Sequence, residues 1–198
     1  LFHNCDPPVL LVLSTLPVDP AALDRRLEQA GADLSKPVVG LMGHAWLGKL
    51  VREMLGNTYT LVSLYEPSPY ADCSLDDLGP FAWALAFSRL SLTFTHYFHG
   101  NLLSLRNGVP TIVVEKRSPY MQKYNSKIRD FMQRIGRLED CYYLDELTSE
   151  HLKGMRYRAE SYLRCPDPEQ ISAALDQEAL SYQSFRGALT EILDSKGS

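Results

Sequence analysis

The chain has 198 residues, 45% apolar and 22% charged, so it can build a core without disulfide staples. A net charge of −4 and a pI near 5.7 argue against a general nucleic-acid binder, which carries a basic excess. No apolar run reaches the ~18 residues of a transmembrane helix, and no signal peptide is visible. The four cysteines, Cys5, Cys73, Cys141 and Cys165, are 68, 68 and 24 positions apart, with no C-x-x-C pair. They read as free thiols of a reducing cytoplasm, and the expected location is cytoplasmic, including the inner face of the membrane.

In chain order, Val9–Ser14 is a solid apolar run between prolines and predicts a buried strand. Asp19-Pro20 supplies an N-cap and a first-turn proline for a helix over Ala21–Ala30, which Gly31 ends. Pro37–Gly43 is the second strand, Trp46–Leu55 a helix, and Tyr59–Tyr65 the third strand. Glu66–Gly79, rich in Pro, Ser and Asp, reads as a loop. Pro80–Arg89 is a nearly all-apolar and therefore buried helix, and Leu90–Thr95 is the fourth strand. Asn101–Asn107 is a short helix ended by Gly108, and Thr111–Glu115 the fifth strand. Tyr120–Ile135 is an amphipathic helix, Tyr142–Leu144 a short sixth strand. Ser149–Ser161 and Pro168–Leu193 are helices capped by Thr148 and Asp167. Apolar strands alternating with helices predict an α/β fold, a doubly wound and mostly parallel Rossmann-like sheet covered on both faces. One domain spans 1–198, with 148–198 as its C-terminal helices.

Gly43-His-Ala-Trp-Leu-Gly48-Lys49 matches part of a phosphate-binding loop between a strand and a helix. Leu50 stands where that loop needs Ser or Thr for magnesium, and Trp46 and Leu47 are too bulky for a phosphate cradle. It reads as a β–α turn whose glycines allow close packing. His44 lies on the same sheet edge as His99, where a lone histidine is more often structural or solvated.

The stretch Phe94–Glu115 concentrates the chemistry. His99-Gly100 falls between a strand and a helix, at the carboxyl edge of the sheet where open α/β folds bind ligands. Gly100 lets backbone approach a ligand, and the N–H groups of Gly100, Asn101 and Leu102 have no partner inside the expected helix. Lys116 and Arg117 follow the next strand, then Tyr120, Lys123 and Lys127, a set suited to a small anion. The alternative is structural: His99 caps its own helix and the cations form a solvated loop. A metal site on His96 and His99 lacks a third Cys or carboxylate ligand nearby in sequence.

Residues Phe81–Gly136 resemble the polysaccharide pyruvyl transferase family. There a strand leads into Arg-Leu-His-Gly, a small helix, Gly-Val-Pro and a buried strand. Here the order is Tyr97-Phe98-His99-Gly100, Asn101–Asn107, Gly108-Val109-Pro110 and Thr111–Val114, with Lys127 matching a later lysine. The resemblance implies the C-terminal lobe of a longer, two-lobed enzyme of GT-B-like form, inactive without its partner lobe if the active site lies between lobes. It implies transfer of pyruvate from phosphoenolpyruvate to a sugar of a glycan, as a ketal, without a further cofactor or a metal. His99 would be the catalytic acid or an anion contact. His96, Tyr97, Gly100, Asn101, Lys116, Arg117, Tyr120, Lys123 and Lys127 would bind substrate. Tyr97 stands where the family has arginine, and a phenol cannot make a bidentate pair with a carboxylate. The expected partners are phosphoenolpyruvate, a glycan acceptor, and an N-terminal lobe or second copy. The competing readings are a GT-B sugar-nucleotide glycosyltransferase lobe, with Glu115 on the edge where a ribose would sit, and a non-catalytic lobe that binds a glycan or a protein.

Overall fold

The computed structural model describes residues 19–78, 80–117 and 126–196. The expected strand Val9–Ser14, together with Tyr120 and Lys123, lies outside them. The described elements are α1 (Pro20–Gln29), β1 (Val38–Met42), α2 (Ala45–Leu55), β2 (Thr60–Ser63), β3 (Cys73–Ser74), α3 (Pro80–Ala86), β4 (Leu92–Thr95), α4 (Phe98–Arg106), β5 (Thr111–Glu115), α5 (Lys127–Arg134), β6 (Cys141–Tyr143), α6 (Ser149–Arg164) and α7 (Pro168–Lys196). The described strands form one parallel sheet in the order β3-β2-β1-β4-β5-β6, which is the Rossmann order. The α/β, doubly wound expectation therefore holds.

Each strand sends alternate side chains to opposite faces, and both faces are covered. Val39, Leu41, Leu61, Leu92, Phe94, Ile112 and Val114 pack against Leu47, Val51 and Met54 of α2 and against Met155 and Ala159 of α6. On the other face, Val38, Met42 and Val62 meet Leu23 and Leu27 of α1 and Phe87 after α3. Val113 on that face meets Ile128, Phe131 and Met132 of α5 and Ile171 of α7. This burial on two sides is why the strands read as unbroken apolar runs.

Several local signals act as expected. Asp19 caps α1 by accepting from the Ala21 N–H (2.9 Å). Thr148 and His151 close a capping box on α6, and Asp167 accepts from the Gln170 N–H (2.9 Å) at the start of α7. Three expectations need correction. The Glu66–Gly79 segment holds a short strand, β3, paired to β2 at Val62↔Cys73. The helix expected from Tyr120 has its N-cap at Ser126 and begins at Lys127, because the Ser126 side chain accepts from the Arg129 N–H. The short helix expected at Asn101 begins at Phe98, so His99 is a residue of its first turn rather than a turn residue before it.

α4 is fastened to the sheet by polar groups as well as apolar ones. The Ser104 hydroxyl donates to Thr93 Oγ1 (2.8 Å), and the Thr111 hydroxyl donates to Asn101 Oδ1 (2.5 Å), with all four residues buried. A Cβ on Gly100 would run into the Met42 sulfur and come 2.8 Å from Thr95 Oγ1. Gly100 therefore serves close packing of helix on strand, the same reason that Gly48 is needed in α2, where Leu41 and Ser68 crowd the Cβ position.

Candidate functional site

In this strand order the connections run outward from β1 through β2 to β3, then jump back to β4. The switch lies between β1 and β4, and ligand crevices of open α/β sheets form there, outside the carboxyl ends. β1 and β4 end in register at Met42↔Thr95, so Gly43-His44 and His96-Tyr97 emerge side by side. β1 also pairs with β2 at Leu41↔Ser63, so extending that register three residues sets His44 opposite Glu66.

The side chains meet as the register implies. His44 Nδ1 lies 2.8 Å from Glu66 Oε2. An ionised carboxylate can only accept, so Nδ1 carries the proton in this contact. The Tyr97 hydroxyl reaches Glu66 Oε1 at 3.5 Å, and burial with the Glu66 charge pushes its pKa up. Tyr65 meets the Tyr97 ring edge-on at 5.3 Å between centroids. Main-chain anchors hold the Glu66 turn: the Ser63 hydroxyl donates to the Glu66 carbonyl and the Trp83 indole N–H to the Leu64 carbonyl.

His96 is packed among rings, with centroids 4.0 Å from Tyr97, 4.7 Å from His44 and 5.5 Å from a stacked Trp46. Its Nδ1 is buried without a hydrogen-bond partner. Burial, helped by the nearby His44, pushes its pKa down to about 4, so the ring is neutral near pH 7. Gly43 leaves the space for this ring.

The remaining expected residues sit in different surroundings. His99 is exposed in the first turn of α4, beside Phe98, and the helix N-terminus opens on the same edge. The N–H groups outside the helical ladder are those of Phe98, His99 and Gly100, since the Asn101 N–H bonds the Tyr97 carbonyl (3.1 Å). Asn101 itself is fully buried against Thr111 and points into the fold, which removes it from the edge. Lys116 and Lys127 are exposed, as expected of ligand contacts or of solvated cations. Arg117 is engaged elsewhere: it pairs with Glu146 (2.6 Å) and lies 4.4 Å over the Tyr143 ring. Glu115 is buried, accepts from the Ser126 hydroxyl (2.5 Å) and has its pKa raised by burial, so it ties β5 to α5 instead of facing the edge.

Sequence reasoning marked His44 but did not pair it with Glu66. The signal was present: each follows a strand by two or three residues, and neighbouring parallel strands bring such positions together. Among the described residues, no three His, Cys, Asp or Glu side chains come together to hold a metal ion, and no helix is long and apolar enough to cross a membrane.

No family model and no curated protein matches the chain. Among solved structures it is similar to CalG4, the calicheamicin glycosyltransferase, at a TM-score of 0.38 and 15% identity, over 73% of this chain and 42% of that one. It is also similar to the glycosyltransferase SnogD from Streptomyces nogalater, at a TM-score of 0.39 and 17% identity, over 77% of this chain and 44% of that one. The chain thus spans less than half the length of either protein.

Proposed function

We propose that this chain is a Rossmann-like lobe of a transferase that acts on a carbohydrate, binding an anionic donor at the start of α4 and an acceptor sugar beside Tyr65, Tyr97 and His44. One observation carries the reading: a helix N-terminus and a group of aromatic and ionisable side chains converge at the β1/β4 switch point. The first-turn N–H groups of α4 suit a phosphate oxygen. Aromatic rings suit the C–H face of a sugar, while Glu66 and His44 suit its hydroxyls.

The donor that fits best is a sugar nucleotide. Phosphoenolpyruvate carries a phosphate and a carboxylate close together and calls for converging cations. Arg117, one of the two cations that directly follow β5, is neutralised by Glu146. A diphosphate can spread its charge along a helix start. Pyruvate transfer to a sugar, as a ketal, is the second reading. It is supported by the order His99-Gly100 to Gly108-Val109-Pro110 around α4.

Backbone NMR titrations of the chain with nucleoside diphosphate sugars and with phosphoenolpyruvate test both readings. The sugar nucleotide is expected to shift the amides of Phe98, His99 and Gly100 in a saturable manner. Shifts with phosphoenolpyruvate alone favour the second reading. Silence with every donor overturns both.

A further inference from the structure

The geometry points to His44, rather than His99, as the base that takes the proton of the acceptor hydroxyl, with Glu66 as the residue that positions it. The inference rests on the carbohydrate-transferase reading and places the base on a histidine other than the one that the family resemblance singles out.

Three histidines reach this edge, in three different states. His96 is held among Trp46, His44 and Tyr97, and its Nδ1 is buried without a partner. It forms a wall of the site. His99 is exposed on the first turn of α4, and among the described residues no carboxylate orients its ring. Its place beside three unbonded N–H groups suits contact with a donor anion. His44 alone of the three has a carboxylate on one ring nitrogen, at 2.8 Å.

In the neutral ring that contact selects the tautomer. With Nδ1–H donated to Glu66, Nε2 keeps its lone pair and can accept a proton. The ring is not spent on capping: His44 is the N-cap residue of α2, yet its side chain makes no cap hydrogen bond. Its side chain is 54% exposed, so an acceptor can reach it. Glu66 is fixed through the Ser63 and Trp83 contacts to its turn, and its second oxygen meets the Tyr97 hydroxyl. A base whose orientation is set before substrate arrives loses little entropy at the moment of reaction.

The step balances without a redox partner. The acceptor O–H bond breaks and its proton goes to His44 Nε2. The oxygen electron pair forms a bond to the anomeric carbon of the donor. The carbon–oxygen bond to the diphosphate breaks, and its electron pair leaves on the nucleoside diphosphate. Glu66 stays ionised and faces the imidazolium, which later gives its proton to water.

Two measurements test the assignment. Nitrogen-15 NMR of the chain reads the imidazole tautomers directly. His44 is expected as Nδ1–H with a bare Nε2, and Glu66→Gln is expected to disturb that state while Glu66→Asp preserves most of it. Kinetics of the natural full-length protein give the second readout. His44→Gln is expected to lower kcat by about 10²- to 10⁴-fold with donor affinity within about twofold. His99→Ala is expected to weaken donor binding more than turnover. A bare Nδ1 on His44, or full turnover in His44→Gln, overturns the inference while the transferase reading stands. Failure of the unmodified protein to bind any donor overturns the reading, and the inference with it.

Discussion

A Cβ placed on Gly43 would come 2.6 Å from Nδ1 of His96 and 2.7 Å from Cδ2 of Leu47. The glycine is the complement of the histidine: one residue at the end of β1 gives up its side chain so that a ring from the end of β4 can lie across it. Gly43→Ala is therefore expected to displace the His96 ring and to cost about 1–3 kcal/mol, the usual penalty of overpacking. Urea unfolding measures the loss. Proton NMR of His96 should show it titrating closer to the ordinary imidazole range once it leaves its packed position.

The same packing makes stability depend on pH. The folded pKa of His96, about 4, lies below the ordinary value of 6.5, chiefly because burial disfavours the charged ring. Above 6.5 both folded and unfolded chains hold a neutral ring. Between 6.5 and 4 the unfolded chain takes up the proton and the folded chain does not, so stability falls as pH falls through this window. Below 4 the loss is complete. The ring is partly exposed, so the loss is on the order of 1–2 kcal/mol rather than the full value of the shift. His96→Phe, which keeps a ring among Trp46 and Tyr97, is expected to flatten this part of the stability profile. Urea midpoints at several pH values would show it, and an unchanged slope would refute it.

The fold was legible because its signals are local. Strand runs, the Asp19 and Thr148 caps and the alternation of elements follow from period and chain chemistry. The place of the edge was also legible, since strands end where apolar runs end. The direction of side chains was not. Asn101 looked like a polar residue at a ligand edge because the helix was expected to start there. Starting α4 at Phe98 turns position 101 toward β5, where it meets Thr111. Phe98 gave little warning, since a bulky aromatic residue is an indifferent helix starter and its ring packs against Phe131. Long-range charge pairing was hidden as well: nothing near Arg117 in sequence indicates Glu146, which the parallel pairing of β5 with β6 brings beside it.

Asn101 gives the corresponding test of structure against ligand binding. Its Oδ1 accepts from the Thr111 hydroxyl, and its Nδ2 is buried without a partner. Asn101→Ala removes the acceptor of a buried hydroxyl and is expected to destabilise by about 1–3 kcal/mol. Asn101→Asp puts a carboxylate in a fully buried place and should cost more, unless it takes a proton. In both variants, donor affinity of the folded fraction should stay within about twofold of the unmodified chain. A tenfold loss of affinity without loss of stability would return Asn101 to the binding site.

Arg117 offers a way to weigh the two donors. Its guanidinium is held by Glu146 at 2.6 Å and by the face of Tyr143, and both charged side chains are nearly half exposed. An exposed pair of this kind contributes about 0–1 kcal/mol, so Glu146→Gln should leave the melting temperature almost unchanged. The substitution removes a negative charge from the edge and releases a cation that can bind a carboxylate or phosphate in two-pronged fashion. Phosphoenolpyruvate, with both groups, should then bind about three- to tenfold tighter, and the gain should shrink in high salt. A sugar nucleotide held by the start of α4 should gain much less. Calorimetric titration of both donors against both proteins, at two salt concentrations, makes the comparison. If phosphoenolpyruvate binds the unmodified chain strongly and the substitution adds nothing, Arg117 already reaches the ligand despite Glu146, and the preference for a sugar nucleotide loses its support.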